Sequence, residues 1–146
     1  MPIEKAFDRS IPFLSRVLSD GRSVFEPIVK VKMTRPGVRP FELPMLLDTG
    51  AEVTIVRHIF ALPLGLVSWK SGQRAEAGTA SGVAEMYRYD DVQIEVFGKS
   101  FSCPVYLMDI PFDPLHQGLL GREIIFERFG FGFWERTREL LVSDNP

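Results

Sequence analysis

The segment Leu46-Leu47-Asp48-Thr49-Gly50-Ala51 carries residue types in an order that could do chemistry. Two apolar residues at the end of an extended run lead into a carboxylate, then a small hydroxyl residue and a glycine. A strand ending this way delivers Asp48 to a tight turn, where it is a candidate general acid or base. Gly50 lets the backbone turn and offers its N–H to the carboxylate, and Thr49 can tie down the loop with its hydroxyl. The plain alternative is an Asx-type turn at a strand end. Average residue usage places Asp-Thr/Ser-Gly by chance in about 6% of chains of this length. The tripeptide therefore draws its weight from its context.

Other candidates are weaker by themselves. Gly78-Thr79-Ala80-Ser81-Gly82 is a run of small residues bracketed by glycines, which suits a mobile hairpin tip or an ordinary surface loop. His58 and His116 are the two histidines, too few and too far apart in sequence for a metal cluster, and no metal or other cofactor is expected. Cys103 stands in a strand-like run beside Pro104 without a Cys-His signature, so it reads as a packed thiol. Gly130-Phe131-Gly132-Phe133 lacks the third glycine and the helix of a dinucleotide loop.

The elements that must position these residues are mostly strands. Ile28 to Met33 alternates with period two, Thr34-Arg35-Pro36-Gly37 supplies turn chemistry, and Phe41 to Leu47 returns as a second strand running into Asp48. Val53 to Val56 is β-branched and extended. Val83 to Tyr89, Val92 to Val96 and Phe101 to Met108 read as further strands, with a turn over Phe97-Gly98-Lys99-Ser100 and Pro104 at an edge or bulge. Phe131 to Trp134 and Glu139 to Val142 complete the set. One segment reads as helical: Arg122 to Phe129 places Ile125, Phe126 and Phe129 on one face, with Gly130 as the stop. Many short strands and one short helix predict an all-β, barrel-like domain over residues 23–146, preceded by an N-terminal extension over residues 1–22.

Composition bounds the partners. The chain has 146 residues, 45% hydrophobic and 25% charged, which is ordinary globular material for one domain. A formal net charge of −2 argues against a nucleic-acid-binding module, which needs a basic excess or stripe. One cysteine excludes an internal disulfide. No apolar run reaches the roughly 18 residues of a membrane-spanning helix, and the N-terminal stretch lacks the apolar core of a signal peptide. The expectations are no nucleic acid, no membrane and a cytoplasmic setting.

Three features together resemble the retropepsin-like aspartic proteases, the single-domain family of retroviral proteases and their bacterial relatives. They are the strand Pro27 to Met33, the segment Leu46-Leu47-Asp48-Thr49-Gly50-Ala51 followed by Val53 to Val56, and Leu119-Leu120-Gly121-Arg122 opening a short helix. They occur in the family's order over about residues 24–142, separated by a hairpin, and point to a bacterial-type single-domain member. The resemblance implies a closed β-barrel with one short C-terminal helix. It also implies an aspartic endopeptidase acting on peptide or protein substrates, with Asp48, Thr49 and Gly50 catalytic.

That chemistry uses two carboxylates sharing one proton, and this chain has a single Asp-Thr-Gly. The resemblance therefore implies a homodimer with Asp48 of each subunit at a two-fold axis. It further implies an interface sheet built from the segment before Pro27 and from Leu140-Leu141-Val142. Gly78 to Gly82 becomes a flap over the peptide, and Ala51 and Glu52 contact substrate. Gly121 and Arg122 give support, with Glu52 and Arg122 paired to orient the loop. Ala51 in place of serine removes a hydroxyl that could bond the ionised pair, which predicts activity reaching mildly acidic or near-neutral pH. The competing reading is a catalytically silent dimerisation or peptide-binding module on the same fold.

Overall fold

The computed structural model describes residues 7–145. Its strands are β1 (Arg9–Pro12), β2 (Leu14–Val17), β3 (Ser23–Glu26), β4 (Ile28–Thr34), β5 (Phe41–Leu47), β6 (Thr54–Arg57), β7 (Gln73–Thr79), β8 (Gly82–Tyr89), β9 (Gln93–Val96), β10 (Lys99–Ser102), β11 (Val105–Met108), β12 (Gly118–Leu120), β13 (Phe129–Trp134) and β14 (Glu139–Asp144). A 3-10 turn spans His58–Ala61 and the helix α1 spans Ile125–Arg128.

Alternation sets the root of the molecule. In β4, Val29, Val31 and Met33 are buried while Lys30 and Lys32 face solvent, and in β5 Leu43, Met45 and Leu47 are buried. The hairpin register pairs Val31 with Leu43 and Val29 with Met45, so one apolar stripe faces the core. Its turn is held by the Thr34 hydroxyl donating to the Val38 carbonyl at 2.7 Å. The core grows on this stripe with Val56, Ile94, Leu107, Leu120, Ile125 and Phe129.

Nine strands join in the order β10-β9-β4-β5-β12-β6-β11-β8-β7. This order has two ends, and no pairing joins β10 to β7 among the described residues, so these strands do not close the barrel that the sequence predicts. The end strands explain why. Beyond Phe101, β10 exposes Lys99, Ser100 and Ser102, and the other end strand, β7, carries Gln73, Arg74 and Glu76 between small residues.

Three further differences have local causes. The run Phe101 to Met108 is two strands: Pro104 has no N–H for a ladder, and the chain leaves β9 there to cross to the slot between β6 and β8. The helix is one turn, because Ile124 sits at φ +68 before it and Phe129 is already paired with Asp144 after it. Residues 9–26 supply three strands, and the boundary at residue 22 falls inside the β2–β3 hairpin. β1 lies along β14, giving the order β1-β14-β13. Leu140, Leu141 and Val142 are thereby buried and bonded on both edges within one chain, so β14 offers no free edge for an interleaved interface sheet. The free edges of that sheet belong to β1 and β13.

Candidate active site

Burial of Leu43, Met45 and Leu47 drives β5 outward to its last residue, and the Asp48 turn follows at once. The Leu47 N–H donates to the Pro27 carbonyl at 3.0 Å and the Asp48 N–H to the Leu120 carbonyl at 3.0 Å. The Gly50 N–H donates to Asp48 Oδ1 at 2.8 Å, and the Ala51 N–H to the Asp48 carbonyl at 3.3 Å. One carboxylate oxygen is thus fixed by backbone and the other has no partner among the described residues. A Cβ on residue 50 would sit 3.3 Å from Asp48 Oδ1, tight enough to press on the carboxylate, and Gly50 has no positive φ. Asp48 is half-buried, and Thr49 and Gly50 are exposed. The Thr49 hydroxyl makes no hydrogen bond among the described residues, so it does not tie the loop within one chain.

The turn is locked by a strand from some 70 residues later. β12 lies between β5 and β6, parallel to the first (Leu119 with Leu46, Leu120 with Leu47) and antiparallel to the second (Gly118 with Val56). A Cβ at Gly121 would land on the Val53 carbonyl, far inside contact distance, so only glycine lets the chain pass. The Gly121 N–H donates to the buried Thr54 hydroxyl at 3.1 Å. The Arg122 and Glu123 N–H groups then donate to the Ala51 and Glu52 carbonyls, each at 2.9 Å.

The expected Glu52–Arg122 ion pair is absent among the described residues. Both side chains are exposed, where such a pair is worth little, and the backbone of the same two residues does the tying. The side-chain link instead runs from Arg88 in β8. Its guanidinium donates to Asp90 at 2.7 Å, to the Tyr106 hydroxyl at 2.8 Å and to Glu123 Oε1 at 3.4 Å. Sequence reasoning missed Thr54 and Arg88. Thr54 carried a signal, as the one hydroxyl in a β-branched strand opposite an apolar-Gly segment, whereas Arg88 carried none.

Around the turn lies a second apolar face, opposite the main core. Alternation in β6, β8 and β11 sends Val56, Tyr87, Val105 and Leu107 to the core, and Ile55, Met86, Tyr106 and Met108 to the other side. There they meet Val53, Ala75, Ala77, Ala84 and Ile110. The β7–β8 hairpin is registered down to Thr79 opposite Gly82, leaving Ala80 and Ser81 as its tip. Gly82 has φ +129, Gly78 and Gly82 have open space about them, and Val83 is exposed. The hairpin is tied near its base. Lys70 pairs with Glu85 at 2.8 Å, the Tyr87 hydroxyl donates to Glu85 at 2.8 Å, and Trp69 packs edge-on to Tyr87. The Lys70 hydrogen bond, then that of Tyr87, holds the Glu85 carboxyl below its ordinary range.

The other candidates fall outside this arrangement. Cys103 is fully buried, its thiol pushed up to about 12 by burial and lying 3.7 Å from the Glu123 carbonyl, as a packed thiol should be. His58 leans on Trp69 and lies 3.6 Å from Asp109, while His116 lies 3.7 Å from Asp113. No three His, Cys, Asp or Glu side chains gather as a metal site among the described residues, and no described helix is long and apolar enough to cross a membrane.

Comparison with known proteins decides the kinship. Residues 38–125 match the family described as "gag-polyprotein putative aspartyl protease", more than half of the chain and all of the segment from β5 through Gly121 and Arg122. The chain belongs to this family. Among solved structures, this chain is similar to EIAV protease complexed with the inhibitor HBY-793. The TM-score is 0.52 at 23% identity, over 69% of this chain and 86% of that one, a likeness of fold. No curated protein sequence matches. The matched range leaves β1 to β4 and β13 to β14 outside it.

Proposed function

We propose that this retropepsin-like protein is an aspartic endopeptidase whose catalytic pair is made by Asp48 from each of two copies. The observation that carries the reading is the Asp48 turn itself. A half-buried carboxylate has one oxygen fixed by the Gly50 N–H and the other unpartnered, on a turn whose Thr49 and Gly50 face outward. A second copy brought against that turn supplies the second carboxylate, and the free Thr49 hydroxyl stands where it can bond across the junction.

The chemistry then follows from the pair. Two carboxylates a few ångströms apart cannot both ionise, so they hold one proton between them. The ionised one takes a proton from water as the oxygen attacks the peptide carbonyl, and the protonated one gives its proton to the carbonyl oxygen. Collapse of the tetrahedral diol breaks the C–N bond, with a proton passing to the leaving amine and both products released. An extended peptide pairs with the backbone of Gly78 to Gly82 on one side and of Ala51 and Glu52 on the other, as an added strand. The β7–β8 hairpin closes over it as a flap. Side chains of the peptide rest on Val53, Ile55, Met108 and Ile110.

The test compares wild type and Asp48→Ala on a peptide library from pH 4 to 7, with mass in solution measured for both. Cleavage by wild type, lost by at least about 10³-fold in the variant, together with a dimer mass, is the expected result. A dimer in which neither protein cleaves any peptide would instead support a peptide-binding module.

A further inference from the structure

The N-terminal hairpin β2–β3 and the loop over residues 109–117 are joined by a charged cluster that the catalytic reading does not use. Arg16, in β2, lies at its centre. Its Nη1 meets Asp113 Oδ2 at 2.6 Å and its Nη2 meets Glu26 Oε1 at 3.0 Å. Asp113 in turn accepts the Leu115 N–H at 2.8 Å and lies 3.7 Å from His116 Nε2. These are not free surface pairs, since their side chains are between 15% and 32% exposed. Arg16 Nε, Glu26 Oε2 and His116 Nδ1 are buried without partners among the described residues. Removing one member of such a group leaves the others buried and uncompensated, so the cluster holds its geometry tightly.

The loop it grips is a wall of the second apolar face. Ile110 packs there with Val53, Ile55 and the hairpin alanines. From the other side the loop is held by Arg57, next along the chain from that face. The Arg57 guanidinium donates to the Ile110 carbonyl at 3.4 Å and to the Gln117 side chain at 3.1 Å, and lies over the exposed Phe112 ring at 5.5 Å. Arg57 ties the loop to the strand that follows the Asp48 turn, while Arg16 ties it to a hairpin outside the family's matched segment. Two cations therefore set where Ile110 and Phe112 stand.

We propose that Arg16 is a positioning residue for substrate recognition: by bridging Glu26 and Asp113 it sets the 109–117 loop, and with it Ile110 and Phe112, against the apolar face beside Asp48. The N-terminal hairpin thereby becomes part of the machinery that selects large apolar side chains in the peptide. This rests on the reading of Asp48 as the proteolytic centre, and the experiment keeps the two apart.

Hydrogen exchange on wild type, Arg16→Met and the charge swap Arg16→Asp/Asp113→Arg reads the loop without needing activity. Protection of the 109–117 amides should fall at least about tenfold in Arg16→Met, with the β4–β5 amides unchanged, and return in the swap, which restores opposite charges at positions 16 and 113. With peptides differing in a large apolar residue or alanine beside the scissile bond, Arg16→Met should raise KM for the apolar peptide about 5–10-fold. Its kcat should stay within about twofold, and the alanine peptide should respond less. In an Asp48→Asn background the Kd of the apolar peptide should weaken by a similar factor, a readout that survives even if no peptide is cleaved. Unchanged exchange in the loop overturns the proposal, as does protection lost evenly over the chain or a fall in kcat at constant KM. Equal weakening of both peptides overturns it too. Absence of cleavage by wild type, with the exchange and Kd effects intact, would instead sink the proteolytic reading.

Discussion

The turn at Asp48 and the β7–β8 hairpin are held by different forces. The turn is tied almost wholly by backbone: five N–H groups, from Asp48, Gly50, Ala51, Arg122 and Glu123, find oxygens within it or on β12. The Thr54 hydroxyl that accepts the Gly121 N–H is buried. The hairpin is an edge element with β7 bonded to β8 alone, and it is fastened by exposed charges near its base. Backbone bonds inside a packed sheet have few alternative geometries, whereas exposed ion pairs exchange readily with water. The turn that carries Asp48 is built from the first, and the hairpin, which the proposed function makes a flap, from the second.

Glycines give the sharpest test of that contrast. Gly121→Ala forces a methyl onto the Val53 carbonyl and should cost about 3 kcal/mol or more, or prevent folding, in chemical denaturation. Gly78→Ala meets nothing and should change stability by less than about 0.5 kcal/mol, while altering KM. Equal losses at both sites would erase the distinction. Thr54→Val comes next. It keeps the shape but strands the Gly121 N–H in a buried place, for an expected loss of about 1–3 kcal/mol with activity falling in step.

A smaller effect concerns pH. Ala51→Ser places a hydroxyl able to bond the ionised pair, which favours the charged form, so the acid limb of the kcat/KM profile should move to lower pH. An unmoved limb would mean residue 51 does not reach the pair. The smallest effect belongs to the hairpin's base. Because the Lys70 ammonium, then the Tyr87 hydroxyl, depresses the Glu85 carboxyl, this tie is present at neutral pH and is lost as pH falls through that lowered value. Hydrogen exchange in β7 should rise over that acidic window in wild type. Lys70→Met should show the raised exchange already at pH 7 with no measurable change in Tm.

Where periodicity is local, the chain was legible. β4 and β5 follow from alternation, with β5 spanning the expected Phe41 to Leu47, and the Gly-bracketed run does mark a hairpin tip. β12 was not legible as a strand, because three residues are too few to show a period and its partners lie some 70 positions away. β1 escaped because its burial depends on β14, at the opposite end of the chain. The Glu52–Arg122 pairing failed for a related reason. Two residues brought close by backbone need not aim their side chains at each other, and in water there is little energy to make them.

By itself the sequence determined the residue types that chemistry needs and the strands on either side of Asp48. It determined these because turn geometry and strand period are encoded within a few residues. Only the tertiary structure decided that β12 wedges between β5 and β6, that Arg88 rather than Arg122 carries the side-chain link, and that Arg16 reaches Asp113. Each depends on which distant segments pack together, and that is set by burial of apolar area over the whole chain rather than by any short stretch of it.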